Sequence, residues 1–141
     1  MADNGLGPIL AEPTLATYAD VVDDLEMVRV ANANRLRQLT DDGEHGHGLS
    51  LHNPDVMRLA TLVDELGASE HKAILALQRV MRAHQLGPWV KSTAGVGEKQ
   101  AARLLGCIRD PYWNDLHDRR RSLRELWAYC GLHVLDTTTA Q

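Results

Sequence analysis

At 141 residues and 15.6 kDa, the chain holds material for one ordinary domain, or for a small domain with an extended arm. With 44% apolar and 24% charged residues it is neither disordered by composition nor membrane-like. No apolar run nears the ~18 residues needed to span a bilayer, and the start, MADNGLGPIL, lacks the basic and then apolar order of a secretion signal. A soluble, cytoplasmic protein is expected. Two cysteines, Cys107 and Cys130, cannot form a disulfide framework and fit a reducing compartment.

The net charge of −4 is unevenly spread. From residue 87 onward eight Lys/Arg stand against six acids, whereas the first 86 residues carry seven against thirteen. Five of the six aromatics also lie beyond residue 88: Trp89, Tyr112, Trp113, Trp127 and Tyr129. A polyanionic partner therefore suits the second half better than the first.

Residues 1–13 read as a loose lead-in marked by Gly5, Gly7, Pro8 and Pro13. From Thr14 to about Thr40 the period is helical, with Leu15, Tyr18, Val22, Leu25, Leu36 and Leu39 on one stripe. A heptad reading places Arg29 and Asn32 on that seam, and an alternative stripe runs through Val21, Leu25, Val28 and Ala31. That interruption favours local packing over a long regular coiled coil. Asp41–Asn53 (DDGEHGHGLSLHN) is a breaker. Asn53 then caps a second helix with Pro54 at its first position. This helix runs through Leu59, Leu62, Leu66, Ile74 and Leu77 to about Leu86, with Gly67 as a weak point for a kink. Two helices of similar length around a polar loop imply an antiparallel hairpin, residues 14–86, closed by Gly87-Pro88.

Beyond it come Trp89–Ser92, a turn at Ala94-Gly95-Val96-Gly97, and a helix from Glu98 to about Ile108 that Asp110-Pro111 breaks. A basic stretch precedes a last helix from Ser122 to about Cys130, stopped by Gly131. No alternating strand pattern stands out. The expected fold is all-α: a long helical hairpin arm, then a compact domain over 87–134 and a tail over 135–141.

The chemistry concentrates in VKSTAGVGEKQAARLLG, residues 90–106. Gly95 and Gly97 permit positive φ and a close approach by another backbone. Val96 can tuck between the two helices. The first amides of the following helix point outward without internal partners, and the helix dipole adds positive charge. A phosphate oxygen fits such a place. Lys91 precedes the turn, Lys99 sits in the first helical turn, and Arg103 follows one turn later on the same face. Ala101 is small, as a close helix crossing requires.

Gly95-Val96-Gly97-Glu98-Lys99-Gln100-Ala101, followed by Leu104-Leu105, resembles a helix-hairpin-helix motif. The continuation Ser122-Leu123-Arg124-Glu125-Leu126-Trp127-Ala128-Tyr129-Cys130-Gly131-Leu132 extends the resemblance. Together, residues 89–134 are similar to the C-terminal domain of DEDD-type insertion-sequence transposases, which use a guide RNA, and to transposase-like helix-hairpin-helix proteins of actinobacterial phages. The resemblance implies binding to the DNA backbone without sequence reading, through hairpin amides and nearby basic residues. It covers about a third of the chain. Glu98 departs from the pattern, and its charge opposes phosphate unless it serves the helix N-terminus. The first 86 residues hold no strands for the transposases' nuclease-like domain. His133–Thr139 has no serine where those enzymes place a catalytic one, so a non-enzymatic role is expected. The close at Gln141 raises the reading of a fragment or shortened relative.

Each feature has a plainer reading beside the functional one. The Gly95–Gly97 turn could be an ordinary tight connection, although the basic spacing favours DNA contact. The run Arg119-Arg120-Arg121 suits a second phosphate contact or a solvated loop neutralised by Asp115 and Asp118. With no phenylalanine in the chain, Trp89, Trp113 and Trp127 are expected to fill the core rather than stack on bases. Cys107, His117, Cys130 and His133 match no zinc spacing and read as structural, with the cysteines buried. His45, His47 and His52 read as part of a solvated loop. No cofactor is expected. The expected partner is DNA, held by Lys91, Gly95, Val96, Gly97, Lys99, Arg103, Arg119, Arg120 and Arg121. The acidic arm is expected to form a homodimer or dock another protein. The rival is a protein-interaction module working through the arm alone, as a regulator or inhibitor of a host factor.

Overall fold

The computed structural model describes residues 13–114 and 116–132, so the lead-in before Pro13 and the tail after Leu132 lie outside the described residues. They form five helices: α1 (Pro13–Thr40), α2 (Pro54–Ala83), α3 (Gly87–Ser92), α4 (Glu98–Ile108) and α5 (Leu123–Tyr129). Two short strands, β1 (Trp113–Asn114) and β2 (Arg119–Arg120), pair antiparallel. The fold is all-α. No described helix is long and apolar enough to cross a membrane.

Local chemistry sets the helix ends. The Asn53 side chain accepts from the amides of Asp55 and Val56, and Pro54 fills the first turn of α2. The loop before it is tied back to α1, with His47 N donating to Gln38 O and Leu49 N to Leu39 O. α2 is continuous through Gly67, where a Cβ would lie 3.5 Å from Arg29 Cδ of α1. Gly87-Pro88 does not simply end the arm but opens α3, and Gly87 packs too close to the Met81 and Arg82 carbonyls to admit a Cβ.

The packing divides the chain into Pro13–Cys107 and a second unit from Ile108 onward, not at residue 87. The reason lies in the core. Leu15, Ala19 and Val22 of α1 and Leu77 and Met81 of α2 share one buried cluster with Val90 of α3 and Ala101 and Ala102 of α4. The short helices thus complete the end of the arm, and Val96 is tucked against the same cluster. Gly106 makes the closest crossing: a Cβ there would meet the Ala19 Cβ at 2.7 Å.

The second unit is built differently. Arg120 faces Trp113 and Arg119 faces Asn114 in the small ladder, which Arg121 N extends by donating to Tyr112 O. Ser122 and Glu125 form a capping box on α5, and Gly131 ends it at φ +76°. α5 has no buried residue.

The tryptophans are not the core. Trp89 is 58% exposed and Trp127 52%, and Trp113 is only partly buried. Aliphatic side chains on α1 and α2 supply much of the packing instead, since the long helices bring them together in one cluster. The cysteines are likewise exposed thiols, not buried ones.

Candidate nucleic-acid interface

The hairpin between α3 and α4 is short and tightly tied. Thr93 N donates to Val90 O, Val96 N donates to Thr93 O, and the Thr93 hydroxyl donates to Trp89 O. Gly95 holds φ +82°, which a side chain would strain. Gly97 has no such φ. Its carbonyl accepts the first helical bond of α4, from Ala101 N at 2.9 Å, so the amides of Glu98, Lys99 and Gln100 precede that ladder. A Cβ at either glycine would meet nothing within 4 Å, so the outer side of the turn is open. Lys91 is exposed in the last turn of α3.

The other bases are deployed inward. Arg103 lies 2.7 Å from Asp23 and 3.2 Å from Glu26, tying α4 to α1. Arg29 pairs with the buried Glu70 across the two arm helices. Hydrogen bonding to Arg29, opposed by burial, holds the Glu70 carboxyl below its ordinary range, and the charges of Lys99 and Arg103 act in the same direction. Lys99 is only partly exposed. Three cations, Arg29, Arg82 and Arg103, are therefore paired with acids of the same unit.

Arg82 belongs to this set through Glu98, at 2.9 Å. That pairing answers the mismatch noted for the hairpin: the carboxylate at the start of α4 is neutralised by α2, not left facing an incoming phosphate. No local spacing reveals it, because Arg82 lies on another helix.

In the second unit, Arg119 is bound to Glu125 at 2.6 Å, and this contact, with the Ser122 amide, lowers the Glu125 carboxyl. The Arg121 guanidinium sits 5.2 Å from the centre of the Tyr129 ring. Arg120 is exposed. The Arg119–Arg121 run is thus a paired strand edge, with Arg119 and Arg121 held by local contacts, not an open loop.

Among the described residues no three His, Cys, Asp or Glu side chains converge as metal ligands, and His133 lies outside the described residues. No known protein family, curated protein or solved structure matches the chain.

Proposed function

We propose that the chain binds the DNA backbone without reading sequence, through the turn between α3 and α4. The observation that carries this reading is the open hairpin tip, where the space beside Gly95 and Gly97 is empty and the first amides of α4 precede its hydrogen-bond ladder. One phosphate oxygen seated there would meet the positive end of an eleven-residue helix, with Lys91 as the flanking cation. Arg103 stabilises the α4–α1 crossing and contributes to binding only indirectly. The resemblance of residues 89–134 to transposase-type helix-hairpin-helix domains supports the same reading and an accessory or regulatory role of phage or mobile-element type. The arm serves as the docking element for a protein partner.

The second reading, a protein module with the hairpin retained only for folding, draws on the exposed apolar residues of the arm, such as Val28 and Leu62. Titration against duplex, branched and single-stranded DNA at ~50 and ~200 mM salt separates the two. Backbone binding requires affinity that falls steeply with salt. Lys91→Ala should lower the salt slope by about one unit. Gly97→Glu, for which there is room, should abolish binding by placing a carboxylate in the seat. Arg103→Ala should cost stability while leaving the slope unchanged. Absence of binding to every DNA form sinks the DNA reading and leaves the arm as the functional surface.

A further inference from the structure

The two arm helices bury one face against each other, but each also carries a second stripe. On α1, Tyr18, Val21, Leu25, Val28 and Asn32 recur in alternating steps of three and four. On α2, Leu59, Leu62, Leu66 and Ser69 do the same. This is the spacing by which one helix packs along another. The stripes meet at a groove of about 370 Å³ lined by Asn32, Leu59, Leu62, Glu65, Leu66 and Ser69. Val21 and Val28 of the α1 stripe are exposed, as is Leu62 of the groove lining. By helical period, the α1 residues that receive α4, Ala16 and Asp23, lie on the other side of that helix, so α4 does not cover the groove.

The charges on the rims indicate what does. Arg29 opposite Glu70 fixes the levels of the antiparallel pair. Six residues beyond Arg29 is Arg35, which donates to Asn32 Oδ1 at 2.9 Å and so lies at the α1 rim. Five residues before Glu70, at the same level, Glu65 stands on the α2 rim. Toward the other end, Asp24 on α1 is within a turn of the level of Lys72 on α2. All four are exposed, and none has an ion-pair partner among the described residues. The sign on each rim reverses along the arm, and the two rims are opposite at each level.

We infer that the occupant is a second copy of this chain, its groove turned onto the first about a two-fold axis parallel to the arm. α1 of one protomer then runs antiparallel to α2 of its partner, forming a four-helix bundle of the usual up-and-down kind. In that pairing each Arg35 meets a Glu65 and each Asp24 meets a Lys72, twice over by symmetry. The leucines of α2 close against Leu25 and Val28. The Arg29–Glu70 pair and Asn32 lie at mid-length as a polar layer, which disfavours slipped registers. This inference deepens the reading of the arm as a docking element and rests on it.

The experiment is sedimentation equilibrium of the intact chain without DNA, so that its outcome is independent of the hairpin. A reversible species of twice the 15.6 kDa chain mass is expected. Leu62→Glu should give monomer with unchanged helical circular dichroism. Arg35→Glu and Glu65→Arg should each weaken the dimer about tenfold, since each puts like charges together at two symmetric places. The combined Arg35→Glu/Glu65→Arg chain should recover the dimer, which tests the register even if the Leu62 variant misfolds. A monomer at every concentration overturns the proposal. So does a dimer that ignores the charge variants, or one that the double variant fails to restore.

Discussion

The unit from Pro13 to Cys107 and the unit from Ile108 onward carry apolar side chains of opposite kinds and use them in opposite ways. In the first, modest aliphatic residues such as Leu15, Val22, Leu77 and Met81 are almost wholly buried, because two long helices bring them together with two short ones. In the second, the larger Tyr112, Trp127 and Tyr129 stay exposed. What orders that unit is polar and local: a two-residue ladder, the Ser122–Glu125 capping box, the Arg119–Glu125 ion pair and the Arg121–Tyr129 contact. Aromatic density in the sequence therefore does not locate a core. Long-range helix pairing does.

The comparison is sharpest at one buried and one exposed side chain. Leu77→Ala opens a cavity in the shared cluster and should cost about 2–5 kcal/mol in urea unfolding followed by far-UV circular dichroism. Trp127→Ala removes a larger but half-exposed side chain and should stay below about 1 kcal/mol. Equal losses would mean that α5 is packed as tightly as the arm, and the contrast would fail.

Acid distinguishes the units next. Glu70 is buried and held below the ordinary 4.5 chiefly by its hydrogen bond to Arg29. A carboxyl lowered on folding contributes stability that is fully present above its unfolded value and is lost as pH falls through the lower native one. Arg29→Met leaves burial to push the same carboxyl up. The stability gap between the parent chain and this variant should then be widest near neutral pH and narrow as pH falls through and below the ordinary carboxylate range. A gap that stays constant from pH 7 to 3 would show that Arg29 acts by packing its stem, not by pairing.

In the second unit the corresponding change is a cap. Ser122→Ala removes the acceptor for Glu125 N and should cost about 1 kcal/mol, confined to α5. Amide exchange should quicken over Leu123–Tyr129 by roughly fivefold and leave Leu77 and its neighbours unchanged. Quickening in both units would show that they unfold together.

These contrasts also mark how far the sequence could be read. Helix ends depend on neighbours a few positions away, so Asn53-Pro54 and Gly131 behave as their residue types dictate. The all-α class follows from the same short-range periods. The roles of the bases do not. Arg103 looks like a phosphate ligand beside Gly97 until α4 is folded onto Asp23 and Glu26, 80 and 77 residues earlier in the chain. Arg82 and Glu98 find each other only once α2 and α4 are packed. Residue type and composition say which side chains could fill a core but not which surfaces are covered, so the absence of phenylalanine does not bury the tryptophans, nor the absence of a zinc spacing the cysteines. One signal was within reach: Ser122 followed three positions later by Glu125 is the spacing of a capping box.

The smallest expected effect lies where α4 ends. Arg109 follows Ile108 at φ +61°, a left-handed conformation usually given to glycine after a helix, and here a side-chain-bearing residue adopts it. The strain of that position is about 1–2 kcal/mol, offset by the chain entropy that glycine would add to the unfolded state, about 0.5–1 kcal/mol. Arg109→Gly should thus raise stability by less than about 1 kcal/mol, and Arg109→Val, branched at Cβ, should lower it by a similar amount. Thermal unfolding of the two variants brackets the parent chain if the backbone turns here as described. The same order also separates strain from charge, because both substitutions remove the guanidinium while only one relieves the backbone. Were both variants shifted in the same direction by the same amount, the charge near the α4 carbonyls would be what matters, and the left-handed turn would not be the source of the effect.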